Sequence, residues 1–520
     1  MKRLLLTTIH QPMGVVSDTC GPHIVAEMYN AQLTAAQGVF SIRSICTGWG
    51  LEFIAANLET PTTVLHYPTL RLFRQELKKG YDYVGIAFVI PTFPKALELC
   101  RIVRRESPRS KIVFGSYGTM LPECDQYADY VCREEGVGFL KRLLGEEPAE
   151  RFKPAAIKRS LKVMSVATRP EAIIPTGLGC ARGCDFCATS HFFHRDSLPL
   201  LKTGQELHDA MCSVDFPRSS FRNIGIIDED FLADRKRTSE MIPLNAAEIE
   251  KPILFTCLTS LRSLAQYTAH ELVSMGLSGA LIGIESKRAT YPKLTGIDAR
   301  ALIDQLRNIG VTVVASMIVG YDFHDEETLE EDFQYLLSLR PAFSQFMLYS
   351  PCPQTPLYAR LEAEGRLVQI PYQLRDGYHL MFRHPHFTAQ RLEALLLELV
   401  QREYDELGPS ICRVMETQLL GWRNLRGNPD PLYQARAREH KNLCLDVYPL
   451  LKTAIRQAPT PKVRQYLTGL KAQVEEEFRI PAMARMKESA VPLLASYTRL
   501  KERLIPNPQP RPIVNRYRCA

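Results

Sequence analysis

The sequence predicts an α/β protein in three parts. A Rossmann-like domain spans residues 1–150, a full or partial (β/α) barrel spans 165–385, and a helical domain spans 386–520. Three observations predict this. Short apolar runs alternate with helically spaced segments through the first 150 residues. The same alternation recurs six times between 165 and 385. Beyond 386, apolar residues recur at three- and four-residue intervals without intervening strand runs. Strands that alternate with helices imply parallel sheets covered on both faces, with ligands held at the carboxyl ends of the strands.

In the first part, residues 3–9, 84–90, 111–114 and 128–132 read as strands, and 69–79 and 93–105 as helices. In the second, the candidate strands are 173–177, 223–228, 253–257, 279–284, 312–319 and 345–349. In the third, Thr388 reads as the N-cap of a helix reaching about 407, with Leu392, Leu395, Leu396, Leu399 and Val400 on its apolar face. Residues 421–431 read as a turn-rich break, and 433–456, 461–478 and 482–504 as further helices. The tail carries Pro506, Pro508, Pro510 and Pro512, so it cannot be helical and must wrap or dangle.

With 45% hydrophobic and 23% charged residues, the chain has enough apolar matter for sizeable cores. Its first ten residues begin like a signal n-region. The apolar run is too short and no cleavage site follows, so a first strand is expected. No apolar run of eighteen residues occurs, which argues against a membrane span. Fourteen cysteines without a secretory signal point to a cytoplasmic protein, where thiols bind metals or fill cores. The net charge of +7 is uneven: residues 421–520 hold 19 Lys and Arg against 8 Asp and Glu. That basic region suits either a solvated helical face or contact with an anionic partner. With no RNA-module signature and no aromatic-interleaved basic stripe, nucleic acid is not expected.

Cys180-Ala-Arg-Gly-Cys184-Asp-Phe-Cys187 is the most informative segment. It lies directly after the first barrel strand. Three thiolates in one short loop can hold three irons of a [4Fe–4S] cube and leave the fourth iron open to a ligand. A zinc knuckle or three structural thiols are the alternatives. Zinc usually takes four ligands in paired spacings, and no partner pair follows.

This spacing, with Phe186 before the last cysteine, resembles the signature of radical S-adenosylmethionine (radical SAM) proteins. Other segments resemble that family's SAM contacts. Ile227-Asp-Glu-Asp-Phe231 resembles the acidic-aromatic segment after the second strand, implying Asp228 and Asp230 as acceptors of the methionine ammonium; a capped βα turn is the plain alternative. Gly283-Ile-Glu-Ser286 resembles the G-x-E-S element, implying Glu285 on the ribose. Ser316-Met-Ile-Val-Gly320 resembles the adenine-contacting strand end, implying Ser316 and Gly320. Tyr349-Ser-Pro-Cys-Pro-Gln-Thr-Pro-Leu-Tyr358 resembles the stretch after the sixth strand.

The first domain extends the resemblance. Ile112-Val-Phe-Gly115-Ser-Tyr-Gly118-Thr-Met-Leu-Pro122-Glu123 and Asp129-Tyr-Val-Cys-Arg-Glu-Glu135-Gly136 resemble segments of cobalamin-binding domains fused to radical SAM barrels. The implied contacts are Gly115, Ser116, Gly118 and Glu135, with Thr8 and His10 in the loop after the first strand. The intact D-x-H-x-x-G cobalt-binding loop is absent: His10 lacks the preceding Asp and Gly14 comes one residue late. A cobalt ligand, a corrin contact and no contact remain alternatives for His10.

The resemblance implies a [4Fe–4S] cluster, SAM and cobalamin, and a reductant such as flavodoxin or ferredoxin. It implies methylation of an unactivated carbon in a small-molecule, lipid or natural-product substrate. A cobalamin-assisted cyclase or oxidative rearrangement is the second reading. A methylthiotransferase with a second cluster is the third, prompted by Cys20, Cys46, Cys100, Cys124 and Cys132. These five are expected to be small buried hydrophobes. Cys352, near the barrel mouth, is expected to pack rather than face substrate. Peripheral membrane contact through the basic C-terminal region is compatible with the charge distribution.

Overall fold

The structure, a computed structural model, describes residues 2–27, 32–45, 47–216, 221–248 and 251–518. Cys46 lies outside the described residues.

Five parallel strands build the first sheet, in the order Thr62–His66, Leu4–Thr7, Tyr83–Ala87, Lys111–Gly115, Tyr130–Val131. The first strand is buried on both faces. Leu5 packs with Phe73, Leu77 and Phe93 on one side, and Leu4 and Leu6 with Leu51, Ala55 and Leu140 on the other. Helices Leu70–Leu77 and Phe93–Glu106 cover the first of these sides. Strand order reverses between Leu4–Thr7 and Tyr83–Ala87, so a crevice opens at their carboxyl ends.

The predicted strands recur in this sheet with shifted ends: 3–9 and 128–132 are trimmed, 84–90 starts at Tyr83 and stops at Ala87, and 111–114 gains Gly115. Thr62–His66 is an addition that its polar Thr-Thr start concealed. A further strand, Ile513–Tyr517, pairs antiparallel with it from the far end of the chain. The proline tail therefore wraps. Gln509 Oε1 accepts from Met13 N at 2.7 Å, and Asn515 Nδ2 donates to Glu52 Oε1 at 2.8 Å. Tyr517 donates to Glu52 as well. The tail closes what would otherwise be an open sheet edge.

The second sheet carries the six predicted βα strands in parallel: Val166–Pro175, Arg222–Ile227, Ile253–Thr259, Leu277–Glu285, Thr312–Val319 and Phe343–Leu348. Phe343–Leu348 ends the sheet, so among the described residues the barrel is partial. At the other edge Val166–Pro175 pairs with Ile157–Val163, which pairs with Ile42–Arg43. Helix onsets follow local chemistry: Thr268 and Glu271 form a reciprocal capping box before Ala269–Met275.

The C-terminal part is helical. Thr388 accepts from Arg391 N and starts Ala389–Leu407, as predicted. The expected break at 421–431 is shorter, because Ser410–Leu425 is one helix. Gly421 lies inside it, where a Cβ would stand 2.7 Å from Gly310 Cα. The residue that read as a turn marker is a close-packing point. Helices Pro431–Val447, Pro461–Glu477 and Ala482–Leu504 follow. No described helix is long and apolar enough to cross a membrane.

Candidate active site

The cysteine loop leaves the first barrel strand through Gly177–Gly179, which pairs antiparallel with Ser197–Pro199. Helix Ala188–Phe192 follows it. Ser190 Oγ donates to Cys180 O at 2.6 Å and accepts from Gly183 N at 3.1 Å. Gly183 adopts φ +68°, and a Cβ there would meet the Arg195 guanidinium at 2.6 Å. Asp185 accepts from Tyr291 Oη at 2.8 Å and from Tyr349 Oη at 2.5 Å, tying the loop to two barrel strand ends. Phe186 packs edge-on against the same two tyrosines.

Burial pushes all three thiols up, Cys184 to about 11, with Lys293 pulling Cys184 the other way. The charge of Cys187 acts on both other thiols, and that of Cys180 acts on Cys184. Yet the three do not converge as ligands of one ion. Among the described residues, the group whose ligand atoms all lie within 4.8 Å of one another is His208, Cys212 and Glu248, on the barrel's outer layer. There Arg222 Nη1 sits 3.1 Å from Glu248 Oε2 and supplies a fixed cation instead. A wider triad fits a cube whose irons are separate, and fits a single zinc poorly.

Three consecutive carboxylates follow the second barrel strand. Asp228 is buried against Arg237, Oδ2 to Nη2 at 2.9 Å. Burial pushes its carboxyl up and Arg237 pulls it back in part. Asp230 accepts from Arg182 Nε at 2.8 Å, Ser260 N at 2.9 Å and Ser263 Oγ at 3.0 Å. Both predicted ammonium acceptors are thus engaged by arginines. Glu229, between them, has no hydrogen-bond partner among the described residues. Burial, then the charge of Asp228, pushes it up to about 7. Its charge acts on Cys187 and Tyr117, which places it on the side of the cysteine loop.

Glu285 takes φ +59° at its strand end and is buried against Lys293. Burial opposes the Lys293 charge, but Glu285 and Cys184 outweigh it and hold the ammonium above its ordinary range. Glu285 and Ser316 line a cavity of about 420 Å³ with Phe186. Gly320 does not. Its N–H donates to His324 Nδ1 at 3.0 Å, and a Cβ there would meet Leu392 at 2.7 Å.

The cavity's opposite wall comes from the first domain. Val89, Ile90 and Pro91 follow the third strand of that sheet in sequence, and Tyr117 follows the fourth. Tyr117 Oη lies 3.2 Å from Thr189 Oγ1, and its ring packs edge-on against Phe192, both in the helix after the cysteines. Elsewhere the domains are joined by Glu123, which accepts from Tyr372 Oη at 2.8 Å. Cys352 lines the cavity, with Sγ 3.6 Å from Met120 Sδ, rather than being sealed in a core.

No family profile matches the chain. It is 26% identical over 204 residues to the hopanoid C-2 methylase of Rhodopseudomonas palustris, 36% of this chain and 37% of that protein. It is 23% identical over 372 residues to the bacteriochlorophyllide d C-12(1)-methyltransferase of Chlorobaculum tepidum, 66% of this chain and 78% of that protein. It is 22% identical over 234 residues to an uncharacterised methyltransferase of Pyrococcus horikoshii, 44% of this chain and 50% of that protein. The chain thus spans half or less of two of these three relatives. It superposes with TM-score 0.53 and 13% identity on TsrM from Kitasatospora setae, a radical S-adenosylmethionine methyltransferase solved with tryptophan and a SAM analogue. That overlap covers 85% of this chain and 98% of TsrM.

The chain shares the fold of TsrM and resembles these methyltransferases in sequence. Within that fold, several expected contacts take other positions. His10 is buried, with Nδ1 2.7 Å from Gln11 O and Nε2 3.1 Å from Glu98 Oε2, out of line for a hydrogen bond. Burial holds it below its ordinary range. Its free nitrogen faces Glu98, and the residue does not line the cavity. Thr8 accepts from Tyr67 N at 2.8 Å and braces the same loop. Gly115 has open space where a Cβ would stand, and Ser116 is exposed at φ +71°. Gly118 lies under Phe88, whose ring a Cβ would meet at 2.2 Å. Glu135 caps helix Gly136–Leu144, accepting from Val137 N and Gly138 N. Cys20, Cys100, Cys124 and Cys132 are buried and form no ligand group among the described residues.

Sequence reading missed Glu229, Lys293 and Asp185. Glu229 had a signal, as the middle of three acids at a strand end. Lys293 had none, because its partner Glu285 is met through a loop.

Proposed function

We propose that this chain is a radical SAM enzyme that methylates an unactivated carbon of a small-molecule, lipid or natural-product substrate. One observation carries the reading: the cysteine loop and the carboxyl ends of the Rossmann-type sheet wall the same cavity. The residues fit the implied groups. Three spread, partly buried thiols suit a [4Fe–4S] cluster, a partnerless half-buried Glu229 suits an ammonium, and the open strand end at Gly115 and Ser116 suits a broad ring.

Cys180, Cys184 and Cys187 would hold the cluster. Glu229 would receive the methionine ammonium of SAM, with Glu285 and Ser316 near its nucleoside end. Val89, Ile90, Pro91, Gly115 and Ser116 would lie against cobalamin. When bound, these groups supply the electron, the hydrogen-abstracting radical and the methyl group that the reaction needs. The chain's own part is positional. Asp185 and the Tyr291–Tyr349 pair fix the loop, Lys293 offsets thiolate charge beside Cys184, and the apolar wall of Phe186, Ile318 and Pro351 excludes water. A reductant such as flavodoxin or ferredoxin, a cytoplasmic location and a membrane contact through the basic C-terminal region complete the proposal.

Anaerobic reconstitution tests it. We expect one cobalt per chain, and S-adenosylhomocysteine and 5′-deoxyadenosine together once reductant, SAM and substrate are supplied. 5′-Deoxyadenosine without methyl incorporation would favour the cyclase or rearrangement reading.

A further inference from the structure

Helix Ala482–Leu504 is unusual in what it leaves uncovered. Met483, Met486, Leu493, Tyr497, Leu500 and Leu504 are 56–77% exposed, and Ala490 between them is exposed too. Their spacing is three and four residues in strict alternation, which places all seven on one helical face. The opposite face packs on the protein through Ala484, Val491, Ala495 and Thr498.

Charge is sorted in the same way. The helix has two acids, and both turn inward: Glu502 Oε1 lies 2.6 Å from Arg43 Nη2, and Glu488 Oε1 lies 3.6 Å from Lys471 Nζ. Arg485, Lys487, Arg499, Lys501 and Arg503 are all exposed along the margins of the apolar stripe. The outward half of the helix is therefore apolar at its centre, and every charge at its edges is positive.

We propose that this face docks onto an anionic lipid bilayer, the helix lying in the interfacial plane. A helix of this length lays about 35 Å of apolar stripe along a surface. Cationic margins flanking an apolar stripe complement anionic headgroups over acyl chains, the pattern of interfacial helices. A second copy of the chain fits less well. Pairing two such stripes would bring Lys487, Lys501 and Arg503 against like charges, and Pro492 interrupts the helix interior that a regular seam needs. The inference deepens the membrane contact of the proposed function but does not rest on methyl transfer, because docking is read without SAM or turnover.

The test is flotation of the full chain with vesicles of equimolar phosphatidylglycerol and phosphatidylcholine, against phosphatidylcholine alone. We expect flotation with the anionic vesicles only, weakening as salt is raised. Leu493→Glu with Leu500→Glu should abolish it. Lys487→Glu, Lys501→Glu and Arg503→Glu together should lower the partition coefficient by at least about tenfold. These side chains are exposed, so unchanged circular dichroism and iron content should accompany the loss. Wild-type chain that stays down with anionic vesicles overturns the proposal, as does equal flotation of the Leu493→Glu/Leu500→Glu variant. A dimer in sedimentation velocity that the same pair dissociates assigns the face to a second copy and overturns it too.

Discussion

Asp228, Glu229 and Asp230 are chemically alike and adjacent, yet the structure gives the first two opposite roles. Arg237 is 5% exposed and donates to Asp228, Thr176 O and Leu201 O. Asp228→Asn leaves that guanidinium buried without its counter-charge. Breaking a buried pair costs about 3–5 kcal/mol; Asp234, half-exposed and 3.9 Å from Arg237 Nε, compensates weakly, so about 3 kcal/mol is expected. Glu229→Gln should do the reverse. Folded Glu229 titrates at about 7 against an ordinary 4.5, so the folded chain holds that proton more tightly than the unfolded one. Its contribution therefore falls as pH rises between those values, and above them Glu229→Gln should gain at most about 3 kcal/mol. The same variant should bind SAM about 10- to 100-fold more weakly, the worth of a hydrogen bond to a charged group. Urea midpoints at pH 5 and pH 8, with equilibrium SAM binding on variants of equal iron content, give both readouts. If Asp228→Asn unfolds like wild type but loses SAM, while Glu229→Gln binds it normally, the assignment is refuted.

Four further outcomes are expected. Cys184→Ala should lose the cluster's visible absorption and all 5′-deoxyadenosine formation; persistent SAM cleavage in iron-free protein would remove the radical reading. His10→Ala should retain cobalt, because Nε2 faces Glu98. Electron paramagnetic resonance of the cobalt(II) form should show no His10-dependent nitrogen coupling. Gly118→Ala should destabilise the first domain by about 1–3 kcal/mol through overpacking against Phe88, read as a lower urea midpoint. Truncation after Leu504 should strip the Asn515 and Tyr517 hydrogen bonds from buried Glu52, lowering the midpoint of the same domain with little effect on the barrel.

Much of the fold was legible because it is written locally. The Thr312–Val319 strand has the predicted bounds, and the Thr388 cap starts its helix where expected. Local pattern also misled. Gly421 carries the signal of a turn, yet it serves a close approach to Gly310 across the helical layer. Glu135 sits in a motif that suggested a cofactor contact, but its carboxylate is spent on two helix N–H groups. Gly118 sits in a motif that implied a cofactor contact, and the space beside its Cα is filled by Phe88.

By itself the sequence determined the alternation of strands and helices, the barrel strands and the spacing of three cysteines in one loop. Each of these depends on spacing along a few residues, and spacing is covalent. The tertiary structure alone decided which of three neighbouring acids is available and which nitrogen of His10 faces what. It also decided that residues 513–517 complete a sheet begun at residue 4, and that one face of Ala482–Leu504 is left bare. Those outcomes turn on partners far apart in the chain, as Tyr517 and Glu52 are, and on the burial that sets what an unpaired charge costs.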